Sequence, residues 1–189
     1  MNEILETFAN HANYAYAILF VYSLGGGMIA LLAAGLLASA GSLDIALCML
    51  IAAVANFLVG EGLYYFAKLN KAEVLANFKK HRRKLALAQI LFKSYGIYII
   101  IAKKYIYGLK TLIPLAIGLS KFDAKKFTLI NGLGAILWAI SLGLLAFFAG
   151  DLVRYLSNYF GSNSATLIIG LVLILALIWV YFSKTTKKR

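Results

Sequence analysis

KKYIYGLKTLIPLAIGL, residues 103–119, is the stretch that decides how this chain folds. It places three lysines and the chain's one proline in a run that is otherwise apolar enough to lie in a membrane. An ionisable side chain at that depth is costly, and it usually faces a partner or a water-filled cavity. We therefore predict that Lys104 and Lys110 are functional residues. The alternative is that both snorkel to the membrane surface from a helix end.

The same stretch is predicted to be interrupted rather than continuously helical. A glycine, a proline and a second lysine within a few residues favour a re-entrant hairpin, with Gly108, Pro114 and Gly118 at its turns. Backbone that leaves the helix at membrane depth is tolerated only where protein or a cavity covers it. The sequence therefore predicts a covered break at this point.

The composition of the whole chain places it among all-α integral membrane proteins. Of its 189 residues 62% are apolar and 14% charged, with a mean hydropathy of +0.84, which excludes a soluble globular domain. The net charge of +12 does not indicate nucleic-acid binding, because the lysines and arginines fall between hydrophobic segments. Basic residues placed in this way are topology signals.

A first interrupted segment precedes the opening stretch. Residues 13–40 are hydrophobic but are divided by three consecutive glycines, Gly25, Gly26 and Gly27. Neither half reaches the roughly 20 residues that a spanning helix needs. We predict a hairpin that enters the membrane and returns by the same face.

Residues 45–66 are predicted to be the first crossing helix, with Asp44 as its N-cap. Asn56 within it is assigned to contacts between helices. Glu61 near its far end either reaches the membrane surface or turns inward towards a lysine. In the second case it is a coupling group or an ion-pair partner.

A basic linker follows at residues 68–95, with eight of the nineteen lysines and arginines and a single acid, Glu73. The positive-inside rule places it in the cytoplasm. Apolar residues recur along it at steps of four and three, so we predict an amphipathic helix on the anionic inner leaflet. His81 has no second histidine or cysteine at ligand spacing, and no metal site is expected.

The rest of the chain alternates between apolar and basic segments. Residues 127–148 are a second long crossing, residues 151–164 an outside loop, residues 165–182 a C-terminal crossing and residues 183–189 a basic cytoplasmic tail. Both flanks of the opening stretch are basic, so it should enter and leave by the cytoplasmic face.

An internal repeat relates the two interrupted segments, because residues 22–36 align without a gap with residues 105–119. The matched identities are Tyr22, Gly25, Leu32, Ala33, Gly35 and Leu36 with Tyr105, Gly108, Leu115, Ala116, Gly118 and Leu119. Each half, residues 13–67 and 96–150, is then a hairpin followed by a crossing helix. One crossing separates the halves, so the repeat is inverted, and such repeats place a site where the broken segments meet.

These motifs resemble the DedA family, also called the SNARE-associated or VTT-domain family, over residues 20–150. The most specific match is FTLINGLGAILW, residues 127–138, which carries the family's Asn, Gly-Ala and Trp at Asn131, Gly134 and Trp138. GEGLYY at residues 60–65 is similar to the family's Gly-acid…Tyr motif. Residues 108–118 are similar to its Gly-x-Arg…Pro…Gly segment, and Lys104 and Lys110 stand where the family usually has two arginines.

The resemblance implies a lipid-handling protein of the bacterial inner membrane with two facing re-entrant hairpins. Relatives are implicated in returning undecaprenyl phosphate or phospholipid across the membrane and in envelope homeostasis. The family's Pro-Gly-acid motif reads here as residues 26–28, GGM, and an earlier acid falls near Tyr16, so both carboxylates linked to proton coupling are missing. Lysine in place of arginine loses the bidentate grip on a phosphate but keeps the charge.

The predicted function is a transporter or flippase for undecaprenyl phosphate or a phospholipid. Its expected partners are membrane lipids with an anionic head group, with association of copies into a homo-oligomer left open, and no nucleic acid. The alternative is a proton- or ion-coupled exporter of small cationic molecules, which needs Glu61 as its carboxylate. No enzymatic activity, metal or cofactor is expected, because no catalytic constellation of side chains is present.

Overall fold

The computed structural model describes residues 2–77, 82–106 and 109–160. The regular structure of this part is helical, in the order α1 (Asn2–Gly25), α2 (Met28–Ser39), α3 (Ile45–Leu69), α4 (Lys71–Asn77), α5 (Arg82–Tyr95), α6 (Tyr98–Ala102), α7 (Leu109–Gly118) and α8 (Ala124–Phe160). Gly108, His81, the predicted crossing at residues 165–182 and the basic tail lie outside the described residues.

The helix α3 matches the predicted first crossing. It has 25 residues, which at 1.5 Å per residue exceed the ~30 Å of a bilayer's hydrocarbon core. Asp44 is its N-cap, as predicted, because the Asp44 Oδ1 atom accepts a 2.8 Å hydrogen bond from the Leu47 N–H. This bond satisfies one of the backbone donors that the start of a helix leaves unpaired.

The helix α8 is longer than predicted. It runs for 37 residues, so the loop expected from residue 151 is wrong at least as far as Phe160. The segment DLVRYLSNYF contains no glycine or proline, and Asp151 forms an ion pair with Arg154 at 2.6 Å, a spacing of three residues that faces the same side of a helix. The apolar part of α8 is also long enough to cross a membrane.

The first break lies where the three glycines predict it, between α1 and α2. The Gly26 and Gly27 N–H groups both donate to the Tyr22 carbonyl, at 3.2 and 3.0 Å. Gly27 adopts a left-handed φ of 51°, and an added β-carbon would lie 2.5 Å from the Ser23 Cα atom. Only glycine fits this turn.

The second break lies earlier than predicted. The helix α6 ends at Ala102, and α7 begins at Leu109. Pro114 lies inside α7 and Gly118 is its last residue, so the assignment of Pro114 to a turn is wrong. The proline removes one hydrogen bond to the Lys110 carbonyl, and a single helical turn precedes it, which limits the cost.

Each short helix packs mainly on a long helix of the other half, α2 on α8 and α7 on α3. The contacts are close at two glycines that the internal repeat aligns. A β-carbon added at Gly35 would lie 2.6 Å from the Ala146 Cβ atom of α8, and one added at Gly118 would meet Tyr64 and Ala67 of α3. The two halves are therefore interlocked in a reciprocal arrangement.

The apolar stripe of the basic linker faces protein. Val74, Leu85 and Ala88 are buried in the same core as α7, and the Phe92 ring contacts that of Phe122 edge-on at 5.2 Å. We predicted that this stripe lies on the lipid leaflet, and for these residues that is wrong. The stripe instead anchors the linker to the second half.

Candidate functional site

Lys104 lies inside the protein, only 6% exposed. Its Nζ atom donates to the Oδ1 atoms of Asn56 in α3 and Asn131 in α8, at 2.7 and 3.0 Å. Gly134 makes room for this side chain, because an added β-carbon would lie 3.0 Å from the Lys104 Cε atom. Snorkelling therefore does not describe Lys104, and Asn56 is a ligand of the ammonium group as well as a contact between helices.

The Glu61 carboxylate turns inward, and Asn131 lies between it and Lys104. Its Oε1 atom accepts from the Asn131 Nδ2 atom at 2.9 Å, and its Oε2 atom accepts from the Thr128 hydroxyl at 2.8 Å. Asn131 also donates to the Phe57 carbonyl at 3.2 Å. The Asn131 amide thus joins a cation to an anion through its two ends, and we call the side chains of Lys104, Asn56, Asn131, Glu61 and Thr128 the polar network.

Gly60 sets the position of Asn131, which yields a prediction with a matched control on the same helix. A β-carbon at Gly60 would lie 2.6 Å from both the Oδ1 and Nδ2 atoms of Asn131, whereas one at Gly62 would have nothing within 4 Å. We expect Gly60→Ala to lower stability by about 1–3 kcal/mol through overpacking. Gly62→Ala should raise it by up to about 1 kcal/mol through helix propensity. Thermal unfolding of both variants in detergent measures the difference, and equal melting temperatures would contradict this packing.

Lys110 differs from Lys104 in its contacts with the described residues. Its Nζ atom is buried and makes no hydrogen bond to any described residue. It lies beside a cavity of about 230 Å³ lined by Gly25, Gly26, Met28, Lys104, Tyr105, Ile106, Lys110 and Thr111. The structure therefore brings the two predicted lysines together with the glycines of the first break, and we call this space the lysine cavity.

The remaining predicted residues lie in packing positions. Trp138 is fully buried against Leu31 and Ala52, and its Nε1 atom has no hydrogen-bond partner among the described residues. Pro114 and Gly118 are buried in α7. Of the motif residues, Asn131 and Gly134 touch Lys104, whereas Trp138 holds α8 against α2 and α3.

Lys103 is a residue that sequence reasoning did not single out. It is 2% exposed, and its Nζ atom lies 5.2 Å from the centroid of the Phe127 ring, a cation–π distance. Phe127 in turn stacks on Tyr64 at 4.2 Å. The available signal in the sequence was its position next to Lys104 in an apolar run. Adjacent side chains point in different directions, however, and the sequence does not show which residues each of them contacts.

The sequence is similar to those of two curated membrane proteins. The chain is 29% identical to the inner membrane protein YohD of Escherichia coli over 142 residues, which are 75% of this chain and 74% of YohD. It is 28% identical to undecaprenyl phosphate transporter A of Staphylococcus aureus over 95% of this chain and 94% of that protein. Both relatives are DedA-family membrane proteins. The chain is thus similar to two DedA-family membrane proteins over three quarters or more of its length.

No family model matches the chain, and no solved structure matches it significantly. Two positions of the motif at residues 127–138, which resembles that of the DedA family, have a physical role in this structure. Asn131 supplies the amide between Lys104 and Glu61, and Gly134 leaves the space that the Lys104 stem occupies. Neither relative's name describes an enzyme, which is compatible with the expected non-enzymatic role. That role stays a prediction.

Proposed function

We propose that this protein is a member of the DedA family and carries a lipid phosphate across the membrane, with undecaprenyl phosphate or a phospholipid as the substrate. The observation that carries the proposal is Lys110, which lines a cavity together with Lys104 and whose buried ammonium group has no hydrogen-bond partner in the described part of the chain. Resemblance adds support, because a relative named undecaprenyl phosphate transporter A aligns with 95% of this chain.

The charges around the lysine cavity favour an anion. Lys104 and Lys110 both line it, and Glu61 is not among its lining residues. A phosphate brought from water to this depth needs a counter-charge, since an uncompensated buried ion costs several kcal/mol. Lysine supplies that charge as a good, though not bidentate, phosphate ligand.

The polar network gives Lys104 and Lys110 different roles in this proposal. Two of the three Lys104 donors are used by Asn56 and Asn131, which fixes the ammonium group at the edge of the cavity. Lys110 keeps its donors for the ligand. Lys104 then acts as a fixed positive charge, and Lys110 makes the direct contact with the phosphate.

An inverted repeat with alternating access is the transport mechanism that we propose. The reciprocal packing of α2 on α8 and of α7 on α3 supports it, as does the meeting of both chain breaks at one cavity. We further propose that both breaks are turns of re-entrant hairpins. From the charge pattern alone, we also propose that the basic linker and the C-terminus lie on the cytoplasmic side of the bacterial inner membrane.

Export of small cations has less support. That function needs a carboxylate exposed to the substrate, but both Glu61 oxygens accept hydrogen bonds from Asn131 and Thr128. Two lysines lining the cavity would also repel a cation.

Lipid that copurifies with the protein tests the proposed function. We expect mass spectrometry of protein extracted in mild detergent to find a phosphorylated lipid enriched over its share in the parent membrane. A second multi-pass protein from the same membrane, purified in parallel, controls for lipid that any membrane protein retains. Equal lipid profiles for the two proteins would contradict the proposal.

A further inference from the structure

A second hollow lies at the first chain break, next to the lysine cavity. It has a volume of about 560 Å³ and is lined by Val21, Tyr22, Gly25, Gly26, Gly27, Met28, Ile29 and Ala30. None of these side chains carries a charge, and the Tyr22 hydroxyl is their one polar group. We call this hollow the apolar groove.

The groove exists because the chain breaks where side chains are missing. The helix α1 ends at Gly25 and α2 begins at Met28, so the break between the two helices is formed by Gly26 and Gly27. A β-carbon added at Gly25 or Gly26 would have nothing within 4 Å. The space beside these glycines is therefore open to a ligand.

The groove and the lysine cavity are adjacent. Gly25, Gly26 and Met28 line both of them. The lysine cavity carries Lys104 and Lys110, whose Nζ atom has no hydrogen-bond partner among the described residues, and the groove beside it is apolar. A ligand that fills both has an anionic group joined to a hydrocarbon chain.

We propose that the apolar groove holds the hydrocarbon chain of the lipid whose phosphate lies at Lys110. This inference rests on the proposed function and adds to it a chain-binding subsite on α1 and α2. Val21 and Ile29, 63% and 84% exposed, supply the walls that the chain contacts. Binding then depends on the chain as well as on the phosphate, because each methylene removed from water contributes to affinity.

Three probes separate the two ends of the site, measured by calorimetry on the full-length protein in detergent. They are inorganic phosphate, farnesol and farnesyl phosphate, which carry the head, the chain and both. Since several methylenes are buried, we expect farnesyl phosphate to bind about 100-fold more tightly than inorganic phosphate. If these two bind equally, the groove proposal is overturned and the proposed function stands. If farnesol and farnesyl phosphate bind equally, the phosphate site and with it the proposed function fail.

Two variants with matched controls locate the chain. Val21→Trp fills the groove from an exposed position, and we expect about tenfold weaker binding of farnesyl phosphate with inorganic phosphate unchanged. Ile18→Trp is the control, one turn earlier on α1, 57% exposed and not lining the groove. Gly25→Leu, placed at the junction, should also weaken farnesyl phosphate, whereas Gly62→Leu, in equally open space on α3, should not.

The outcome of these variants decides between occupants of the groove. Equal affinities for farnesyl phosphate in Val21→Trp and Ile18→Trp would overturn the proposal. A change in the oligomeric state of Val21→Trp, without a change in its affinity for farnesyl phosphate, would also overturn the proposal. It would assign the groove to a contact between two copies of the chain.

Discussion

Replacing Lys110 by methionine is expected to abolish transport while leaving the protein folded. Methionine keeps the length and the apolar bulk of the side chain and removes the charge. The Lys110 Nζ atom has no partner among the described residues, so no hydrogen bond is lost. Insertion should improve, because a lysine at the centre of a membrane helix costs about 3 kcal/mol. A phosphate without its counter-charge loses about 3 kcal/mol or more, which corresponds to a roughly 100-fold loss of binding.

The measurement is surface exposure of the lipid phosphate in a bacterial strain that depends on this protein. Lys110→Arg should retain transport, since it keeps the charge. Lys121→Met is the matched control, because Lys121 is exposed at the end of α7. Transport at the wild-type level in Lys110→Met would require the phosphate hypothesis to be abandoned.

Lys104→Met should differ from Lys110→Met in a way that the sequence does not predict. From the sequence the two lysines are equivalent candidates, and the same loss is expected for both. In the structure Lys104→Met also strands the buried Oδ1 atoms of Asn56 and Asn131. An unsatisfied buried acceptor costs about 1–3 kcal/mol, so this variant should lose stability as well as transport.

Replacing Asn131 by leucine is expected to cause the largest loss of stability in this chain. Leucine has a similar volume but removes one partner from Lys104 and one from Glu61. The Lys104 ammonium group stays buried and the Glu61 carboxylate half-buried, each with one hydrogen bond fewer, and a hydrogen bond to a charged group contributes about 1.5–3 kcal/mol. For a protein of this size we expect the melting temperature to fall by roughly 10 °C.

Thermal unfolding followed by circular dichroism measures this loss, and a double-mutant cycle tests its cause. If Asn131 stabilises the protein through Lys104, then Lys104→Met combined with Asn131→Leu should cost less than the sum of the single changes. Strictly additive costs would show that the two side chains are not coupled and would contradict the polar network.

The sequence could predict the elements that depend on local chemistry. The N-cap at Asp44 and the apolar length of α3 follow from adjacent residues, and the three consecutive glycines mark the first break because glycine weakens a helix and adopts positive φ without strain. The cost of burying an amine also singled out Lys104 and Lys110 before any contact was known. For these features, residues a few positions apart carry the whole physical argument.

The extension of α8 and the place of Pro114 show where local reasoning failed. A helix end was expected after residue 150, but no glycine or proline stops α8 before Phe160, and the Asp151–Arg154 pair supports it. Pro114 was read as a turn, although proline in the second turn of a helix costs only one hydrogen bond.

Only the tertiary structure decided which charges meet. The bonds of Lys104 to Asn56 and Asn131 span 48 and 27 positions, and the bond of Asn131 to Glu61 spans 70. No periodicity in the sequence encodes such distances, because they depend on how α3, α6 and α8 pack against one another. The sequence by itself determined that buried lysines need partners. The packing decided that Lys104 has protein partners, because Asn56 and Asn131 lie within its reach, whereas the buried ammonium group of Lys110, which lines the cavity, has none among the described residues.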